Sequence, residues 1–450
     1  MSTAHQVPSA SDANPSRVVV PGAWWAIGIL LLALFSRIAI VAARSAELNV
    51  DRDAYLGMAQ GVRDGRGLSI PGTAQPTAYR PPLYPLLLAP VSAPRQAWLR
   101  AALQIVLGTA TVGLTWLIAR RLACSRFECG LAAGLVAVDP LLLLYTPQIM
   151  TETLATFLAA GSLALVTGEP TGWSRRRQIA IGLTLGLASL CRPTFLLWTA
   201  ALACWIAVRT LVRANTIADA IPMMARLRHL PWLVLATLVV TIAPWAIRNA
   251  VRMGYPIVTT THGGYTLLLS NNDTYDLEVV QPRTGGVWSG PSLDRWQRNL
   301  QAEMAAERVS GELAQDRWMK TAAHQWIVAH PKRFLAACCE RFMNFWRIFP
   351  GQESGPASYA SWCVAVFYGA QWGLVLLGLS RIRGTGPRFL PGLLLIVTLS
   401  GTHLVYFSNA RMRAPLVPVL AILAARGLAF LRRSPNISEA GTPQELTADS

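Results

Sequence analysis

The sequence predicts a polytopic α-helical membrane protein with about ten transmembrane helices and one exterior domain set among them. Three observations carry that reading. Of its 450 residues, 53% are hydrophobic and only 14% are charged, against about 25% charged in an ordinary soluble domain. The apolar residues are gathered into long runs, such as 103–119 and 233–247, as a bilayer requires. The arginines behind the net charge of +17 stand mainly at the ends of those runs. That is the positive-inside pattern of a membrane protein, not the footprint of a nucleic-acid binder.

Taken in order, residues 1–22 are rich in Ser, Ala and Pro and read as a disordered cytoplasmic tail. Span one, 23–43, is too long for a usual signal-peptide core and is read as a retained anchor. Trp24 and Trp25 mark its interface, and Arg37 inside it must face protein or snorkel. A polar loop, 44–96, separates it from span two, 97–119, which ends at the basic loop of Arg120, Arg121 and Arg126. Spans three (130–145) and four (152–167) lead to a second basic loop, Arg175 to Arg177. Spans five (179–190) and six (194–208) are broken by Cys191-Arg192-Pro193, and a basic loop, 209–229, precedes span seven, 232–247.

Composition changes from 248 to 355, where Gly, Asn, Asp, Thr and charged residues replace the apolar runs. This stretch is expected to form an exterior (periplasmic) domain. Its first part, 259–291, carries turn signals and short β-like pieces such as 265–269. Its second part, 293–348, is helical in pattern, with Pro331 suited to a first turn. Trp318, Ala322, Trp326 and Ile327 share one helical face, which meets either the bilayer surface or a small core. Spans eight (362–379), nine (389–407) and ten (414–431) complete a second membrane block, 356–431, and 432–450 is a disordered cytoplasmic tail. Counted from a cytoplasmic N-terminus, every short arginine-rich loop falls on one side. The 44–96 loop, Glu152, Arg192, the 248–355 region, Arg411 and Arg413 all fall on the other.

Those exterior groups hold the candidate chemistry. Asp51 and Asp53 stand just before an amphipathic helix at 54–63, where aspartate is a favoured cap. Capping suits Asp53 better, which leaves Asp51 as the candidate general base toward an acceptor hydroxyl. Arg80, stiffened by Pro81 and Pro82, is placed either to anchor a lipid headgroup or to bind phosphate through its planar fork. Arg192, Arg248, Arg411 and Arg413 add positive charge on the same face, and Glu152 opens span four as a helix-terminal charge or a second carboxylate. Asp139, before Pro140 in an apolar stretch, divides the same way. The six histidines show no ligand spacing, and no phosphate loop, zinc-protease motif or nucleophile elbow is present. The seven cysteines lie mostly in or beside apolar spans and suggest no disulfide framework. No cofactor is expected, although a divalent metal stays open.

Several motifs occur in an order that resembles the GT-C fold glycosyltransferases. They are Asp51 four residues before Tyr55, Gly65-Arg66-Gly67, Pro76-Thr77, and Arg80-Pro-Pro-Leu-Tyr-Pro85. Thr151-Glu152, Arg192-Pro193-Thr194, Pro244-Trp245 with Arg248-Asn249, Asn271-Asn272, His330-Pro331 and Arg411-Met412-Arg413 follow. The branch most similar is the bacterial one related to dolichyl-phosphate-mannose–protein mannosyltransferases and the lipid A aminoarabinose transferase. The resemblance implies a polyprenyl-phosphate sugar donor used at the outer face of the bacterial inner membrane, with a mixed α/β exterior domain. It implies Asp51 as the catalytic carboxylate, Glu152 as the second acidic position, and Arg80 as the contact to the donor phosphate. Arg192, Arg248, Arg411 and Arg413 would assist Arg80, and Asp53, Tyr55, Tyr79 and Tyr84 would line the substrate. Tyr79 departs from the aminoarabinose type, which has an acidic residue there. A hydroxyl acceptor on a lipid, glycan or protein is expected. The competing readings are a transporter or flippase of a lipid-linked anion, and a polysaccharide polymerase or ligase.

Overall fold

The computed structural model describes residues 23–167, 173–217, 232–282, 288–349, 359–382 and 386–433. The two expected tails, apart from the last helical turn at 432–433, lie outside these residues, as does most of the basic loop 209–229. The described residues form seventeen α-helices of at least six residues, with short 3-10 turns between them.

Helices cover the apolar runs, but among the described residues fewer of them reach membrane length than the ten spans expected. They begin with α1 (Ala23–Ala43), α4 (Ala97–Arg121) after the short α2 (Tyr55–Arg63) and α3 (Leu83–Leu88), α5 (Arg126–Ala137), α6 (Pro140–Tyr145) and α7 (Glu152–Val166). There follow α8 (Arg175–Cys191), α9 (Phe195–Ile217) and α10 (Trp232–Met253). Past the 263–345 helices come α15 (Tyr359–Ser380), α16 (Gly386–Val405) and α17 (Val417–Arg433). Six of the described segments are long and apolar enough to cross a membrane, and 152–166 and 195–209 are shorter apolar helices. The protein is a multi-pass membrane protein.

Span three is corrected by the structure. It breaks at Asp139-Pro140 into α5 and α6, because proline has no N–H to continue the ladder and disfavours helical geometry in the residue before it. Asp139 then caps α6, its Oδ1 accepting from the Leu142 N–H at 3.0 Å and from the Tyr368 hydroxyl at 3.2 Å. Carbonyls freed at the end of α5 are used by Arg37, which donates to Ala137 at 3.2 Å and Val136 at 3.4 Å. Arg37 is fully buried, so of its two options it faces protein.

The core is built around α7 and α17. Nearly every residue of α7 is buried, and from Leu420 to Ala425 α17 is buried on all sides, the mark of a helix enclosed by others. Small residues permit the close approach. A Cβ on Gly378 of α15 would collide with the Leu423 carbonyl of α17, and one on Gly427 would collide with the Leu374 carbonyl. At one end of the bundle the arginines cover helix ends. Arg177 donates to the carbonyls of Leu165 and Thr167, both at 2.8 Å, Arg121 donates to that of Ala164, and Arg432 lies over the Phe127 ring. The opposite end of α7 begins with Glu152.

The region expected to be exterior is α11 (Gly263–Leu269), α12 (Pro291–Ala306), α13 (Glu312–Ala329) and α14 (Pro331–Phe345), with a short helical stretch at 273–280. Here the expected α/β character fails: among the described residues there is no strand, and 265–269 lies in helix α11. The reason is packing. Tyr265, Leu268 and Leu269 recur at i, i+3 and i+4, and the two leucines bury against two small cores containing Leu300, Met319 and Tyr275. Trp318 and Ala322 pack on that cluster and Trp326 is buried, so the α13 face serves a small domain core. Pro331 occupies the first turn of α14, as its missing N–H favours.

Replacing Gly427 by leucine should force α15 and α17 apart and destabilise the fold by about 1–3 kcal/mol or more. Thermal unfolding in detergent would show it, with Gly369→Leu, whose Cβ position is open, nearly unchanged.

Candidate active site

The loop between α1 and α4 delivers the first groups. Tyr55 begins α2 after Ala54, which takes a left-handed conformation at φ 63°. That bend moves the helix cap from the expected Asp53 to Asp51. Asp51, not Asp53, caps the helix: its Oδ2 accepts from the Gly57 N–H at 2.8 Å. Its buried Oδ1 has no hydrogen-bond partner among the described residues.

Asp53 instead faces arginines. Arg80 donates from Nη2 to Asp53 Oδ1 at 3.0 Å and from Nε to the Asp53 carbonyl at 3.2 Å. Arg411, in the 3-10 turn Ala410–Leu416, places Nη1 3.4 Å from Asp53 Oδ2 and Nε 3.8 Å from Glu152 Oε1. Arg192, in the break between α8 and α9, closes the chain, with Nη2 2.8 Å from Glu152 Oε1 and Nε donating to Thr151 Oγ1 at 2.9 Å. Three guanidinium groups and two carboxylates therefore form one continuous array. The side chains of Arg80, Arg192 and Arg411 keep 13–22% of their surface exposed while Glu152 keeps 1%. The cations can meet a ligand; the glutamate is sealed behind them.

Aromatic groups line Arg80. Its guanidinium carbon lies 5.5 Å from the Tyr55 ring centre and 5.4 Å from that of Tyr79. Burial pushes the Tyr55 hydroxyl up to about 12, against the opposing pull of Arg80, so it stays a neutral phenol. Tyr84 is deeper: fully buried, it accepts from Gln104 Nε2 at 2.8 Å and supports Tyr55 edge-on at 5.2 Å.

Two predicted arginines do not join the array. Arg248 donates to the carbonyls of Thr77 at 2.9 Å and of Leu68, behind the loop that carries Arg80. Arg413 is buried, donates to the carbonyls of Phe345 and Arg347 at 2.9 and 2.6 Å, and lies against Tyr368. Both hold backbone in place.

Sequence reasoning missed His262 and Glu312. Arg80 Nη1 lies 3.2 Å from His262 Nε2; since arginine only donates, Nε2 must be the acceptor and the proton sits on Nδ1. Tyr79 and Tyr265 flank the imidazole at 4.4 and 5.3 Å. Glu312, at the start of α13, accepts from Thr77 Oγ1 at 2.6 Å, from the Ala78 N–H at 2.9 Å and from Thr261 Oγ1. Metal-ligand spacing was the wrong signal for either; a histidine directly before Gly263-Gly264, where backbones approach closely, was the available one. Among the described residues no three His, Cys, Asp or Glu side chains gather as a metal cradle; Asp53 and Glu152 are each matched to two guanidinium groups.

No protein-family model and no curated protein matches the sequence. Solved structures do. Over 91% of this chain the structure matches the oligosaccharyltransferase of Archaeoglobus fulgidus, solved with a tethered acceptor peptide containing the NVT sequon, at 12% identity and a TM-score of 0.50. The fold is of the GT-C type. This chain spans only half the length of that enzyme. A looser likeness is to ArnT from Cupriavidus metallidurans bound to undecaprenyl phosphate, with 14% identity over 90% of this chain and 78% of ArnT, and a TM-score of 0.38.

Burial and the neighbouring Arg80 and Arg411 hold the His262 imidazole well below its ordinary value of 6.5. The unfolded chain therefore takes up this proton first as pH falls, so stability is full above about pH 6.5 and declines below it. Melting temperatures measured from pH 7.5 to 5 should fall on the acid side in the wild type, and fall less in His262→Gln.

Proposed function

We propose that this GT-C chain is an inverting glycosyltransferase that moves a sugar from a polyprenyl-phosphate donor to a hydroxyl acceptor of the cell envelope. One observation carries the reading: Arg80, Arg192 and Arg411, from three distant parts of the chain, converge at one end of the bundle with their side chains partly exposed. Such an array suits a phosphate at the membrane surface, where planar forks give charge-assisted bonds to its oxygens. The motif order in the 44–96 loop supports the same donor class. The basic groups at the opposite end of the bundle support a cytoplasmic placement there and an exterior, periplasmic face for the site in a bacterial inner membrane.

In the proposed reaction the Asp51 carboxylate, held by its bond from the Gly57 N–H, accepts the proton of the acceptor hydroxyl. The acceptor oxygen bonds to the anomeric carbon as the bond from that carbon to the phosphate oxygen breaks. The electron pair leaves with the polyprenyl phosphate, and configuration at the carbon inverts. That leaving group is anionic and weakly basic, so the arginines stabilise its charge and no general acid is required. Glu152 holds Arg192 and Arg411 in place, and Arg248 and Glu312 fix the Arg80 loop. Tyr55 and Tyr79 bound the space beside Arg80, as substrate-lining groups would.

The test is transfer from a panel of radiolabelled polyprenyl-phosphate sugars by the reconstituted protein. Wild type should consume one donor, Asp51→Asn should be slower by about a hundredfold or more, and Arg80→Ala should lose donor binding. Wild-type turnover in a folded Asp51→Asn protein would remove Asp51 as base. Labelled lipid crossing the bilayer with no donor consumed would mean a transporter instead.

A further inference from the structure

The array has an oddity. Arg80 and Arg411, two of the three cations assigned to the donor phosphate, already share an anion. Asp53 presents one carboxylate oxygen to each, Oδ1 to Arg80 Nη2 at 3.0 Å and Oδ2 to Arg411 Nη1 at 3.4 Å. A carboxylate held by two guanidinium groups through separate oxygens is the arrangement a phosphate would adopt with two of its own. Asp53 keeps 21% of its side-chain surface exposed, whereas Glu152, on the far side of Arg411, keeps 1%. Of the two anions, only Asp53 stands where a ligand can reach it.

We propose that Asp53 is an internal stand-in for the donor phosphate: its carboxylate fills the seat between Arg80 and Arg411 in the resting protein, and the incoming lipid phosphate displaces it. This rests on the phosphate-binding reading above and adds a regulatory role for one residue. Three cations against two carboxylates leave one net positive charge, enough to attract a phosphate but not to hold it tightly. Swinging Asp53 away exposes two guanidinium groups toward the phosphate, with Glu152 still positioning Arg411 and Arg192. When the phosphate leaves after transfer, Asp53 returns and speeds its release. Arg80 does not collapse during the exchange, because His262 Nε2 and the Asp53 backbone carbonyl keep their hold on it at 3.2 Å each.

The experiment is binding of farnesyl phosphate to the full-length protein in phosphatidylcholine nanodiscs, by calorimetry, with inorganic phosphate as a competing arm. Asp53→Asn preserves size and one acceptor oxygen while removing the competing charge. It should bind farnesyl phosphate about tenfold more tightly than wild type, since deleting a like charge beside a bound anion strengthens binding. Product inhibition should rise in parallel. Arg80→Ala should weaken binding in both backgrounds. A merely structural role for Asp53 predicts the opposite sign, and unchanged or weakened binding in a variant that melts like wild type overturns the proposal. Should Asp53→Asn melt early, Asp53→Ser, which also lacks the charge, decides by the same sign. If inorganic phosphate displaces farnesyl phosphate at millimolar levels, the seat is for the phosphate group itself; if it does not, affinity comes from the prenyl chain and the proposal falls. Absence of any farnesyl phosphate binding by wild type would instead remove the donor reading.

Discussion

Arg411 lies between two carboxylates that the chain brings from opposite directions, Asp53 from the first loop and Glu152 from the start of α7. A charge at the lip of a membrane bundle is costly unless it is paired or hydrated. Pairing is therefore what fixes the relative places of the first loop, the N-terminus of α7, the break after α8 and the turn before α17. Removing one partner of a buried pair typically costs about 3–5 kcal/mol; that scale applies to sealed Glu152 and its close partner Arg192. The Asp53 contacts are longer or more exposed and hold less. The array is thus rigid on its inner side and exchangeable on its outer side, the division a site that binds and releases an anion requires.

Much of this was legible in the sequence. Apolar runs bounded by arginines located the bundle, because membrane length and charge asymmetry are properties of composition along the chain. Of the residues in the sequence motifs, Arg80, Glu152, Arg192 and Arg411 lie together in the structure. What failed was orientation. The cap falls on Asp51 rather than Asp53, because Ala54 turns left-handed before the helix and shifts the cap by two residues. Arg411 and Arg413 look equivalent in sequence, yet in a turn with about three residues per cycle they point some 120° apart. One enters the array and the other is buried against Tyr368.

The exterior region shows the complementary failure. Turn-forming residues and Tyr-Thr-Leu-Leu-Leu suggested strands, but the burial pattern of Tyr265, Leu268 and Leu269 suits a helix once α12 and α13 supply the facing surface. Short apolar pieces take their form from what they pack against. Glu312 escaped notice because its partners are far away in sequence and nothing local marks it, and the only local sign of His262 was the glycine pair that follows it.

The grip on the loop before Arg80 bears on how the protein is made. Arg248 reaches back to the Thr77 carbonyl across 171 positions, and Glu312 reaches the Thr77 hydroxyl across 235. At ribosomal speeds of about 5–20 residues per second, the later partner emerges on the order of tens of seconds after the loop it secures. Until then Arg80 is carried by a segment not yet fastened. The segment written first is among the last to become rigid, and biosynthesis ends with the assembly of the charged array.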